Sequence, residues 1–189
     1  MVKLGLLIVN SMTDEELIEG CKARNPLSQK QLYEKYSRKM MGVCMRYMNN
    51  RDEAEDVLQD GFVKVFEKIG SFQSQGSFEG WIRRIFVNTA LDSIRRNKEH
   101  NLLADIDQVG YALDSGYNVE STLNAEELLN ILNNIPTGYK VVFNMFVIEG
   151  YSHKEIAEEL GVSESTSKTQ FLRAKAYLVK AMQKQKMID

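Results

Sequence analysis

The sequence predicts an all-α chain: two small helical domains joined by an irregular linker, the second containing a helix-turn-helix. Three observations carry this. Proline occurs only at Pro26 and Pro136, and β-branched residues rarely alternate with polar ones, so little argues for strands. Apolar residues recur at helical spacing through most of the 189 residues. Near the end, SHKEIAEELGVSESTSKTQFLRA (Ser152–Ala174) reads as two short helices meeting at a tight turn on Gly161.

Composition narrows the class. This length suits one domain or two small ones, and an apolar fraction of 43% can fill real cores. The 24 basic and 26 acidic residues leave a net charge of −2, unlike most free-standing DNA binders. The basic residues cluster, however. Arg83, Arg84, Arg95, Arg96 and Lys98 oppose only Asp92, and Lys168, Arg173, Lys175, Lys180, Lys184 and Lys186 meet no acid before Asp189. Basic patches on an acidic chain imply weak binding to DNA alone and dependence on a partner. Cys21 and Cys44 lack metal-ligand spacing and a nearby histidine, and Cys44 reads as a buried free thiol of a reducing cytoplasm. His100 and His153 lie far apart, without acidic or cysteine partners in sequence. No convergent catalytic set and no metal or cofactor site emerges.

The elements follow in order. Residues 1–11 (MVKLGLLIVNS) are too short to span a membrane and lack a small-residue cleavage site, so they read as an upstream start or a disordered tail. Thr13 caps a helix over 14–23 with acids in its first turn. A long helix follows over 27–48. The helix over 51–69 has two faces. Ala54, Val57, Leu58, Gly61, Phe62, Val65 and Ile69 face a core, while Asp52, Glu53, Asp56, Gln59, Asp60 and Lys64 cover the rest. An acidic helical face is ordinarily solvated surface; the alternative is a docking site for a basic partner.

Gly70–Gly80, with three glycines, three serines and Phe72 and Phe78, reads as a loop in which Phe72 has little core context. The helix over 78–97 is held by Trp81, Ile85, Ala90, Leu91 and Ile94, leaving Arg83, Arg84, Asn88, Arg95 and Arg96 outward or flanking. Aromatics beside arginines and an asparagine suit unstacked single-stranded DNA, although large aromatics such as Trp81 and Phe86 are more often buried. Residues 99–123 are irregular and acidic and read as a linker. Helices over 124–134 and 138–149 lead into the final pair, 152–160 and 163–185.

In that pair, Ile156, Ala157 and Leu160 form one apolar stripe, and Ser152 with Glu155 forms a capping box. Gly161 ends the helix in the left-handed conformation, Val162 fills the angle, and Ser163 caps the second helix. Ser167, Phe171, Ala174 and Leu178 share its inner face. Ser165, Lys168, Thr169 and Leu172 point outward, flanked by Thr166 and Arg173. Lysine and arginine reach phosphates or guanine edges, serine and threonine take either role, and a leucine can pack on a thymine methyl.

NRDEAEDVLQDGFVKVFEKI followed by SFEGWIRRIFVNTALDSIRR resembles region two of bacterial sigma factors. IPTGYKVVFNMFVIEGYSHKEIAEELGVSESTSKTQFLRAKAYL resembles region four. With only these regions and a short linker, the chain resembles an extracytoplasmic function (ECF) sigma factor of the sigma-70 family, over roughly Thr13–Met182. The resemblance implies residues 12–98 as region two, 99–123 as linker and 124–189 as region four. It implies a cytoplasmic, non-enzymatic subunit that directs core RNA polymerase to promoters and assists melting. Asp56, Gln59, Asp60 and Lys64 would dock on the polymerase. Phe72, Arg83, Arg84, Asn88 and Arg95 would serve the minus-ten element. Ser165, Thr166, Lys168, Thr169, Leu172 and Arg173 would read the minus-thirty-five element. An anti-sigma partner is implied by the resemblance alone and by no residue here. Ser167 replaces the family's usual valine, so Ser167→Val is expected to stabilise the second domain. The rival reading, a stand-alone helix-turn-helix regulator, needs a receiver or ligand-binding domain that the first block does not suggest.

Overall fold

The computed structural model describes residues 12–100, 131 and 134–186. The expected tail, most of the expected linker and most of the helix over 124–134 lie outside these residues. Among the described residues there are seven α-helices and no strand. The chain divides into two compact units.

In the first unit, α1 (Asp14–Lys22) opens with a reciprocal capping box. The Thr13 hydroxyl accepts the Glu16 N–H at 3.2 Å, and the Glu16 carboxylate accepts the Thr13 N–H at 2.8 Å. At the start of α2 (Pro26–Tyr47), Asn25 Oδ1 accepts the N–H groups of Leu27 and Ser28, with Pro26 at the first helical position where no donor is needed. Asn50 caps α3 (Arg51–Lys68) through the Glu53 N–H at 2.8 Å. After the short turn Ile69–Ser71 and the loop, α4 (Phe78–His100) completes the unit.

The expected core face of α3 is buried in full: Ala54, Val57, Leu58, Gly61, Phe62, Val65 and Ile69. The face of α4 is rotated from the expected one. Ile82, Phe86, Val87, Ala90 and Leu91 are buried, whereas Trp81, Ile85 and Ile94 are half-buried. Gly61 is the reason: without a Cβ it lets the Phe86 ring lie directly on α3. Phe86 then meets Phe62 edge-on, with ring centroids 5.1 Å apart. Cys21 and Cys44 are both buried and form no disulfide, and burial pushes the Cys21 thiol up.

In the second unit, the helix expected over 138–149 is present, helical from 137 to 148, but it changes geometry along its length. An α-helix, α5 (Thr137–Phe143), passes into a wide π-type turn at Asn144–Ile148. Then come α6 (His153–Leu160) and α7 (Glu164–Lys186). Ile131, Ile135 and Leu178 form one core cluster, with Tyr139, Phe143 and Tyr177 packed against it. Ile156 and Ala157 of α6 and Ser167 and Ala174 of α7 are buried.

Candidate nucleic-acid interface

The turn between α6 and α7 is built by three local devices. Ser152 and Glu155 cap α6 reciprocally. Gly161 ends it at φ 66°, ψ 34°, and the N–H groups of Gly161 and Val162 both reach the Ala157 carbonyl. The Ser163 hydroxyl then accepts the Thr166 N–H at 3.0 Å and shares hydrogen bonds with the Ser165 and Thr166 hydroxyls at 2.8 and 2.7 Å. These bonds order the first turn of α7 and spend hydroxyl groups that lie at its exposed end.

Ser165, Lys168, Thr169, Leu172 and Arg173 are exposed, and Thr166 is half-buried. Several are already engaged. Lys168 Nζ lies 2.7 Å from Glu164 one turn earlier, and this bond holds the Glu164 carboxyl below its ordinary value. Thr169 Oγ1 donates to the Ser165 carbonyl at 2.9 Å. Arg173 Nη1 donates to Tyr139 Oη at 3.2 Å. Leu172 is 47% exposed and offers an apolar contact.

Ser167 stands where the family's usual residue is valine, and the structure shows what its hydroxyl meets. The residue is fully buried, on the face expected, but its hydroxyl is 2.9 Å from His153 Nδ1. The His153 ring stacks on Phe146 at 4.3 Å and sits 5.8 Å from Phe171. A polar pair thus joins the first turn of α6 to the inner face of α7, and the π-type turn supplies the aromatic lid.

The first unit carries a second basic surface, on α4. Arg84 is exposed and Arg83 half-buried. Asn88 is half-buried, and its side-chain oxygen is covered without a hydrogen-bond partner, which costs free energy. Arg95 bonds Asp92 at 3.0 Å, and Asp92 also takes Lys64 of α3 at 3.1 Å. Arg96 lies 3.5 Å from Asp60. On α3, Asp56, Gln59 and Asp60 are exposed, with Lys64 half-buried beside them. Phe72 departs from expectation: it is only 7% exposed and packs on Phe78 and Trp81 at 5.2 and 5.3 Å. The glycine-serine loop folds back, and the two aromatics of α4 supply the core context its neighbours in sequence lack.

Two family models match the chain: "Sigma-70 region 2" over residues 32–100 and "Sigma-70, region 4" over residues 125–178. The chain belongs to the sigma-70 family. Within that family it is an ECF sigma factor, a subunit for promoter-directed transcription initiation. It is similar to the ECF RNA polymerase sigma-E factor of Haemophilus influenzae, 27% identical over 93% of this chain and 98% of that one. It is also similar to the ECF sigma factor SigM of Mycobacterium tuberculosis, 28% identical over 90% and 85% of the two chains. Among solved structures, the sigma factor RpoE of Bartonella quintana, crystallised with the anti-sigma factor NepR, shares the fold. Its TM-score is 0.54 at 19% identity, over 82% of this chain and 96% of that one.

Sequence reasoning gave no role to Asp92, Tyr139, His153 or Glu164, each of which bonds a side chain singled out from the sequence. The Glu164–Lys168 spacing is a legible i, i+4 pair. Tyr139 and Arg173 are 34 residues apart, and no local pattern links them. Among the described residues, no helix is long and apolar enough to cross a membrane, and no group of three or more His, Cys, Asp and Glu could hold a metal ion.

Proposed function

We propose that this sigma factor divides its task between three surfaces. Residues 12–98 hold the acidic face of Asp56, Gln59, Asp60 and Lys64, which docks on core RNA polymerase. They also hold the α4 surface of Arg83, Arg84, Asn88 and Arg95, which captures the melted minus-ten strand. Residues 124–189 read the minus-thirty-five duplex through Ser165, Thr166, Lys168, Thr169, Leu172 and Arg173. Residues 99–123 link the two. The observation that carries this reading is α7, whose exposed residues include donors and one apolar side chain next to a hydroxyl-capped first turn.

Chemistry favours these assignments. Arg84 is exposed on α4, where its guanidinium can reach a phosphate or a base face. Extruding a base costs a few kcal/mol of unstacking, which a site with ready acceptors and π-faces offsets. Phe72 contributes to that site only if it leaves Phe78 and Trp81, and otherwise buttresses the loop. The chain performs no bond chemistry of its own and acts in the cytoplasm, where the polymerase is. The relative solved with an anti-sigma factor supports a similar protein partner for this chain.

Run-off transcription tests the reading. Core polymerase with this chain is expected to yield promoter-specific transcripts, and core polymerase alone none. Tight specific duplex binding without polymerase, and no transcript with it, would instead mark a stand-alone regulator.

A further inference from the structure

One arginine of the reading surface is held from another helix. Arg173 is exposed on α7, yet its Nη1 donates to Tyr139 Oη at 3.2 Å, and its guanidinium carbon lies 5.9 Å from the Tyr139 ring centroid. Tyr139 is half-buried on α5 and packs on the Ile131, Ile135 and Leu178 cluster, so the core fixes the ring. The adjacent Gly138 runs close to α7 as well: a Cβ there would sit 3.7 Å from Gln170 Nε2. The start of α5 therefore lies along the Gln170–Arg173 side of α7.

A guanidinium has five N–H donors in a planar fork. The Tyr139 bond uses Nη1 and leaves the Nε–Nη2 edge, whose two parallel donors match the O6 and N7 acceptors of guanine in the major groove. A long side chain ordered before binding loses less conformational freedom on binding, and it is less able to swing to a nearby phosphate.

We propose that Tyr139 is a specificity-determining positioning residue. It holds Arg173 so that the free edge of the guanidinium reads a guanine in the minus-thirty-five duplex. This rests on the reading of α7 given above. No contact between Tyr139 and DNA is required.

The test uses the full chain with core polymerase on a template pool randomised across the minus-thirty-five element, with the transcribed templates sequenced. Arg173→Ala is expected to erase a guanine preference at one position, and Arg173→Lys, which keeps the charge but not the fork, to do the same. Tyr139→Phe keeps the ring packed on the core and removes only the hydroxyl. It is expected to weaken that same preference about three- to tenfold, the order set by one ordinary hydrogen bond at an exposed site. Preferences elsewhere and the salt dependence of binding are expected to stay as in the parent. If Arg173→Ala erases the preference and Tyr139→Phe leaves it intact, the inference falls and the reading of α7 stands. A uniform loss over all templates in Tyr139→Phe also overturns it, since that marks stability or phosphate contact. If Arg173→Ala changes no positional preference, both fall.

Discussion

Ser167 shows how one hydroxyl reverses the expected sign of a substitution. Valine would suit the buried site by volume, but it would leave His153 Nδ1 without its partner at 2.9 Å. Ser167→Val is therefore expected to lower the stability of the second unit by about 1 kcal/mol, read from thermal or urea unfolding. Adding His153→Phe should recover most of that loss, because removing both polar partners leaves nothing unsatisfied, and a phenyl ring can keep the stack on Phe146. Asp14 gives a pH-dependent case. Burial pushes its carboxyl up, but hydrogen bonds from Lys35 and Tyr36, each 2.7 Å, outweigh this and hold it below its ordinary value. The folded value lies below the unfolded one. The stabilisation is thus present above the unfolded pKa and lost as pH falls through the folded pKa. Asp14→Asn should cost about 1 kcal/mol or less at neutral pH, given the exposure of the pair, and should flatten the acid limb of a stability–pH curve below about pH 4.

At the scale of an element, two glycines within helices have opposite roles. An alanine at Gly61 would gain about 1 kcal/mol of helix propensity, but its Cβ would overlap the buried Phe86 ring. Overpacking of this kind costs about 1–3 kcal/mol or more, so Gly61→Ala is expected to destabilise the first unit. Gly42 is exposed within α2, and an added Cβ meets nothing within 4 Å. Gly42→Ala should therefore stabilise by about 0.5–1 kcal/mol, and paired denaturation curves would separate the two cases. Helix starts were the most legible features, because Thr13, Ser152 and Ser163 each satisfy an N–H group three residues on. The change from α to π geometry at Asn144 was not legible. Its wide turn serves the contact of Phe146 with His153 and Phe171, which no helical periodicity encodes.

For the whole molecule, the distribution of charge matters more than its sum. Several cations on or beside the proposed DNA surfaces are paired within the chain: Lys168 with Glu164, Arg95 with Asp92 and Arg96 with Asp60. Exposed pairs of this kind contribute little to stability, and a phosphate can displace them at small cost. They do blunt the attraction of an acidic chain for DNA. Without polymerase, the chain is expected to bind promoter duplex no more tightly than the non-specific range, about 10⁻⁴–10⁻⁶ M at physiological salt, as read by fluorescence anisotropy.

The sequence by itself determined the helical class, the caps and turns, the buried face of α3, the turn at Gly161 and the face that α7 turns outward. All of these rest on contacts within a few residues, where spacing alone says which groups meet. Only the tertiary structure decided which face of α4 is buried, that Phe72 tucks beneath Trp81 and Phe78, that Ser167 has a histidine partner, and that Tyr139 holds Arg173. Each depends on a partner distant in sequence or on the rotation of one helix against another. Those are settled by the fit of side chains such as Phe86 over Gly61, and periodicity does not record that fit.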